Sequence, residues 1–320
     1  MSKGKIVLLI ISLVLIIAGG ITFGFTINNY IKRNEATYVE NTTIINSDIS
    51  KIKVDTDTSK IYIRMSSDET CKVVCVEKED DKHVVDEKDG VLSVSRKEQP
   101  TRFLDNLFVF NTKSITVTIY LNKTNYENLN INGHTGDVTV ESGFTFGTVE
   151  IENSTGDMFF SSNVTGLLSI KGSTSDIEVK NVSANSLYLR ASTGDITAKN
   201  INIIEDITID GHTSKINLEA VRCKNITSTN TTGKVNFNDV VATDDLKIDA
   251  GTGDITIVMC DGKNVYLTAS TGDITGTLLT GKMFTCISST GKVAPVASDK
   301  NGGECIIKTS TGDIDIKVKE

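Results

Sequence analysis

The chain has 320 residues, 38% of them hydrophobic and 23% charged, enough for one large core or two modest domains. A net charge of -8 with no concentrated basic face argues against nucleic-acid binding, because phosphate contacts need clustered Lys and Arg. Only 2 prolines and 25 glycines argue against a collagen-like or disordered chain, and the absence of Trp removes a common stacking platform for carbohydrate.

Residues 1–5 carry Lys3 and Lys5 and are expected on the cytoplasmic side. Residues 6–27 contain no charged side chain and would span ~33 Å as a helix, enough to cross a hydrocarbon core. A cleaved signal peptide is the rival reading, since Ala18-Gly19-Gly20 supplies small residues. The apolar run nevertheless continues through Ile21, Phe23, Phe25 and Ile27, longer than the ~7–15 residues of a secretory apolar region. No lipid-attachment cysteine follows, because the first cysteine is Cys71. The expectation is a single-pass transmembrane helix in the cell membrane with the C-terminal domain extracytoplasmic. Basic residues are balanced across it by Lys32 and Arg33, so orientation rests on the short N-terminal tail and the long polar remainder.

Residues 28–45 read as a polar stalk, and 46–128 as a first coil with an irregular β insert or cap. Ile52 and Val54 precede a turn at Thr58-Ser59-Lys60-Ile61, and Ile61 and Ile63 follow it. Cys71 and Val73, then Val91, Leu92 and Val94, then Ile115, Val117, Ile119 and Leu121 read as further strands. Glu77 to Asp89 reads as an exposed hairpin tip, and Phe103 to Phe110 as an apolar loop.

Residues 129–320 are a regular repeat. A Thr-(Gly/Ser)-(Asp/Lys)-apolar turn begins at Thr135, Thr155, Thr174, Thr193, Thr213, Thr232, Thr252, Thr271, Thr290 and Thr311, at intervals of 19 to 21. Apolar residues recur six and four positions before the Thr in seven copies, as in Leu187/Leu189 and Ile207/Ile209, and three and five after it in seven, as in Ile177/Val179 and Ile255/Ile257. Alternation on both sides of a turn means two half-buried strands joined at a corner. The residue two before the Thr is usually small, as at Gly133, Gly172, Ala191 and Gly211. A third apolar spot eight after it, at Val182, Ile201, Val221, Val240 and Leu279, starts the return side. One such unit cannot bury its apolar face alone, but stacked copies can, with like residues ~4.8 Å apart. The fold class expected is all-β, a parallel β-solenoid of ~19–20-residue coils, right-handed by the usual crossover preference.

The serial turns Ser192 to Ile196 and Ser270 to Ile274, with Ile115 to Leu121 running into Tyr126-Glu-Asn-Leu-Asn-Ile, resemble the bacterial "putative adhesin" family. This is an envelope domain of unknown function, and the likeness covers about residues 46–320. It departs at Leu121-Asn122, where the family commonly has Pro. The resemblance implies a β-solenoid ectodomain, often encoded beside envelope-stress signalling proteins, and it brings no catalytic residues.

No catalytic, cofactor-binding or metal-binding residue is assigned, and no cofactor is expected. His134 and His212 share a repeat position four coils apart, ~19 Å by ladder spacing, too far for one metal. His83 lies in the charged hairpin, with no general base–nucleophile pair in view. Asp137, Asp157, Asp176 and Asp195 should stack at one corner. They either bond turn amides or hold a hard cation such as Ca²⁺, and Lys215, Lys234 and Lys292 in the same slot favour the first. Six cysteines read as buried thiols, with Cys286 and Cys305 in inward slots, Cys260 in the third apolar slot and Cys71 and Cys75 too far apart on one face to bond.

The functional reading is therefore a non-enzymatic, membrane-anchored envelope protein with a monomeric ectodomain, acting as a binding, adhesion or envelope-stress module toward an envelope protein or wall polymer. Alternatives are a scaffold that polymerises end to end, as the cytoskeletal bactofilins do, a polysaccharide-acting β-helix enzyme, and a cation-binding solenoid. The charged last strand, Lys317 to Glu320, and the insert beside the first coil both speak against end-to-end stacking.

Overall fold

Period-two alternation with a fixed index forces like residues of successive coils into register. In the computed structural model the Thr of every copy pairs with the Thr of its neighbours, from Thr58↔Thr135 and Thr135↔Thr155 through to Thr252↔Thr271. The structure describes residues 37–96 and 114–319, together with Gly4, 15–17 and 19–24. Two long sheets of 13 and 14 strands form the walls of a β-solenoid of about 9 turns. Nearly all pairing along the array is parallel, at the offsets of 19 and 20 seen in the sequence.

The predicted inward slots are the core. Leu187, Leu189, Ile207, Ile209, Ile177, Val179, Ile255 and Ile257 are all buried. Two kinds of bend close each coil. The first is the Thr corner, where Gly156, Gly194, Gly233, Gly253 and Gly272 hold φ between +118° and +150°. The second lies seven residues on, where Asn181, Asn200, Ala220, Asp239 and Met259 adopt left-handed φ of 53° to 56°. That bend turns the following residue, Val182, Ile201, Val221 or Val240, back into the core. The next coil differs. Its positive-φ residue is Gly276 (+143°), two positions earlier, its path is one residue shorter, and Leu278 rather than the expected Leu279 is buried against Cys260.

At the N-terminal end, β1 (Tyr38–Ile45), β2 (Lys51–Thr58), β3 (Lys60–Met65), β4 (Cys71–Lys78), β5 (His83–Lys88), β6 (Val91–Arg96) and β7 (Thr116–Leu121) build a cap. β2 and β3 are a true coil stacked directly on the Thr135 coil. β6 and β7 then return to lie outside it in parallel register, Ile52↔Leu92 and Ile61↔Val117. Antiparallel β4 and β1 extend one sheet, and antiparallel β5 ends the other. Two expectations change here. Part of the expected 28–45 stalk is β1, because Tyr38–Ile45 pairs along its length with β4. The expected hairpin tip, Glu77 to Asp89, is not uniformly exposed: Glu77 and His83 are buried where the chain crosses from one sheet to the other. The apolar loop expected at Phe103 to Phe110 lies outside the described residues.

The C-terminal end contains a swap. Of the final strands of the sequence, Ile314–Val318 ends the smaller sheet, but Glu304–Thr311 does not sit last in the larger one. Glu304–Thr311 lies between Asn264–Thr271 and Met283–Thr290, with Leu267↔Ile307 on one side and Cys286↔Ile307 on the other. The outermost rung of the larger sheet is thus Met283–Thr290, whereas the strand running into the charged tail, Ile314–Val318, ends the smaller sheet as expected. The Met283–Thr290 rung carries half-buried Phe284 and Cys286 inward and exposed Met283 and Ile287 outward.

The expected membrane segment, residues 6–27, falls largely outside the described residues. Its described portions, 15–17 and 19–24, are helical and exposed. Among the described residues no helix is long and apolar enough to cross a membrane.

Candidate binding surface

Strand alternation that sends Leu and Ile inward sends the intervening residues outward. On the larger sheet this yields two exposed rows beside the Thr corner. The row three residues before each Thr runs Asn132, Glu152, Lys171, Arg190, Asp210 and Thr229, and the row one before runs His134, Ser154, Ser173, Ser192, His212 and Thr231. A shallow groove runs between these rows, lined by Glu152, Ser154, Lys171, Ser173, Arg190 and Ser192. Charges along it are zipped between coils: Lys171 Nζ lies 2.6 Å from Glu152 and 3.4 Å from Glu150, and Arg190 Nε lies 3.5 Å from Asp210. Each pair is solvent-exposed and contributes little to stability, but together they present alternating charge beside a line of hydroxyls.

The Asp slot is resolved by its hydrogen bonds. Asp137 Oδ1 accepts the N–H of Asp157, Asp176 Oδ1 that of Asp195, and Asp195 Oδ1 that of Lys215, at 2.7 to 3.2 Å. These three carboxylates thus each bond the amide of the equivalent residue one coil on. At the cap-proximal end Lys60 Nζ sits 2.6 Å from Asp137 Oδ2, and the ammonium holds that carboxyl below its usual range. This geometry predicts that millimolar Ca²⁺ leaves the melting temperature unchanged, whereas a site at 100 times its dissociation constant would add about 2.7 kcal/mol. Asp195→Ala should cost about 1 kcal/mol by stripping the Lys215 amide of its acceptor, read by thermal melting.

A complementary pairing that the sequence reading did not anticipate supports the corner. Asn153 and Asn230 occupy the small-residue slot, and both are buried. Their Nδ2 groups donate at 2.8 Å to the carbonyls of Gly136 and Ser214. The coil before each has Gly there, Gly133 and Gly211, where a Cβ would stand 2.7 Å from the amide oxygen. The alternation of Gly and Asn in one slot was the available signal.

Of the histidines, His134 and His212 are exposed and sit beside Asp57 and Thr231. His83 departs from expectation. Its side chain is fully buried, with Nδ1 2.7 Å from Glu77 Oε2 and Nε2 3.0 Å from Ser59 Oγ. Its own N–H donates to Glu77 Oε2, and Asn41 Nδ2 donates to Glu77 Oε1. Burial holds the imidazole below its usual pKa against the opposing pull of Glu77. Arg96 pairs with Asp81 alongside, which holds that carboxyl below the ordinary range. The connectivity is that of a nucleophile, base and acid, but the amides flanking the hydroxyl are spent. Ser59 N–H donates to Thr135 O and Lys60 N–H to Ile115 O, so they offer no oxyanion site, and Ser59 is itself buried. No sequence signal joined these residues, because they come from four segments without periodic spacing. All six cysteines are free thiols; Cys286 is half-buried and the others are buried, including Cys223, which had no assigned slot.

Among solved structures, one from Parabacteroides distasonis described as a putative adhesin is 17% identical with a TM-score of 0.50, covering 88% of this chain and 98% of that one. A second putative adhesin, from Bacteroides fragilis, is 16% identical with a TM-score of 0.42, covering 88% and 97%. At these identities the first likeness is one of fold. No curated protein matches. The family model described as Toastrack DUF4097 matches residues 49–212, just over half the chain, from β2 through the first coils. The family resemblance read from the Ser-Thr-Gly-Asp-Ile turns therefore holds, and the chain belongs to the Toastrack DUF4097 family.

Proposed function

We propose that this is a non-enzymatic cell-envelope protein, anchored by residues 6–27, whose solenoid stands outside the membrane and binds an envelope protein or wall polymer as a monomer. The observation that carries this reading is the long outer face of the larger sheet. About 9 turns at ~4.8 Å give a rigid surface about 43 Å long, lined by repeating hydroxyls and paired charges. Such a face spreads contact over many equivalent positions, which suits an extended polymer or protein better than a small molecule. Family membership and a fold neighbour named as an adhesin point the same way. The test uses intact cells. A membrane-impermeant amine-reactive label should modify lysines beyond residue 37 while an N-terminal tag stays protected. A photo-crosslinking side chain at Ser173 should capture a partner that one at Thr197, on the opposite sheet, does not. Protection of the solenoid until lysis would refute export, and absence of adducts at Ser173 would refute this face.

A further inference from the structure

We propose that Cys75, Glu77 and His83 form a site for a divalent cation of the Zn²⁺ class within the N-terminal cap. Cys75 and Glu77 alternate onto the buried face of β4, the i, i+2 arrangement by which a strand presents two ligands to one point. His83 enters from the first position of β5, so the site would tie the two sheets together where the chain crosses between them. All three side chains are buried, and one ligating atom from each lies within 4.8 Å of the other two. Thiolate, imidazole and carboxylate are the donor types Zn²⁺ takes, and three protein ligands leave a fourth position open.

Charge supports the assignment. Glu77 is a buried carboxylate whose neighbouring cation, Arg96, already pairs with Asp81. Hydrogen bonds from Asn41 and His83 satisfy its oxygens without neutralising it. A divalent ion held by one thiolate, one carboxylate and a neutral imidazole makes a site of zero net charge, which relieves the cost of burying an isolated anion. The supporting shell is in place as well. Ser59 Oγ stands 3.0 Å from Nε2, ready to accept its N–H once Nδ1 binds metal, and Asn41 orients the Glu77 carboxylate. On binding, the ion displaces the Cys75 thiol proton to solvent, and the single imidazole proton moves from Nδ1 to Nε2. Ion binding replaces the His83 Nδ1–Glu77 hydrogen bond and reverses the Ser59–His83 one, which Ser59 Oγ then accepts.

The test uses the full-length protein, stripped of metal under reducing conditions and given one equivalent of Co²⁺. A thiolate-to-cobalt charge-transfer band, discharged by equimolar Zn²⁺, is expected, with one ion retained per chain after gel filtration. Cys75→Ala should abolish the band, and Cys71→Ala, on the same strand face, should keep it. Ser59→Ala should weaken Zn²⁺ affinity by about 10–100-fold, the usual effect of losing an orienting partner. Should Cys75→Ala fail to fold, the near-isosteric Cys75→Ser decides: it too should abolish the band. No thiolate band, or a band that survives at Cys75→Ala or Cys75→Ser, would overturn the proposal.

Discussion

Ile209→Asp is expected to abolish the protease resistance of the array, while Asp210→Ala leaves it intact. Ile209 is fully buried and its neighbour Asp210 faces Arg190 across the outer surface. Truncating a buried Ile to Ala costs ~2–5 kcal/mol, and an unpaired buried carboxylate adds to that. Losing one exposed ion pair costs under ~1 kcal/mol. One neighbour complicates the first variant. Ile209 stacks on Leu189 on one side but on Ser228 on the other, and the buried Ser228 hydroxyl could donate to the new carboxylate. Leu189→Asp, between Ile170 and Ile209, has no such donor and should be the more damaging. Limited proteolysis is the better readout, because a repeat array can unravel in parts rather than as one unit. Equal resistance of the Ile209→Asp and Asp210→Ala proteins would mean the two faces are misassigned.

Gly253→Val is expected to cost about 3 kcal/mol or more, against under about 1 kcal/mol for Ser214→Ala. Both sit at the Thr corner. Gly253 holds φ at +144°, a region side chains avoid at a cost of ~1–3 kcal/mol, and a Cβ there would overlap the Gly233 carbonyl. Backbone displacement would pass to the next coil, since Gly272 approaches the Gly253 carbonyl in the same manner. Ser214 has ordinary φ, and its hydroxyl makes only a long 3.4 Å bond to Ala191 O. Thermal melting of the two variants checks the contrast; a Gly253→Val protein melting with the wild type would show that the corner relaxes freely.

The repeat made the walls of the fold legible. Wherever a constant index met period-two alternation, as at Leu187/Leu189 or Ile255/Ile257, the burial followed, because a one-residue slip would expose every Leu and Ile. Legibility ended where pairing left the index. Tyr38–Ile45 is polar enough to read as a stalk, yet antiparallel pairing with β4 satisfies its backbone. The Ser59–His83–Glu77 network depends on a sheet-to-sheet crossing that no local pattern announces. Leu279 was displaced by Leu278 because this coil turns at Gly276, two positions earlier than its neighbours, and saves one residue. Spatial order was invisible for a different reason: Thr290 and Thr311 carry equivalent turns, and an interval of 21 reads as one more coil.

The interleaved rung at the C-terminus constrains how the molecule is assembled. Both walls of the slot that holds Glu304–Thr311, Asn264–Thr271 and Met283–Thr290, are synthesised before the strand that fills it. The solenoid therefore cannot be completed by simple winding from one end. Until the final residues have been made, Asn264–Thr271 shows an unpaired backbone edge, and Met283–Thr290 carries the same index and can occupy that edge out of turn. Completion then requires that rung to withdraw and the tail to slide in. During that interval the slot is equally complementary to the tail of a second molecule, so crowding of nascent chains favours exchange of C-terminal strands, and dilution favours closure within one chain.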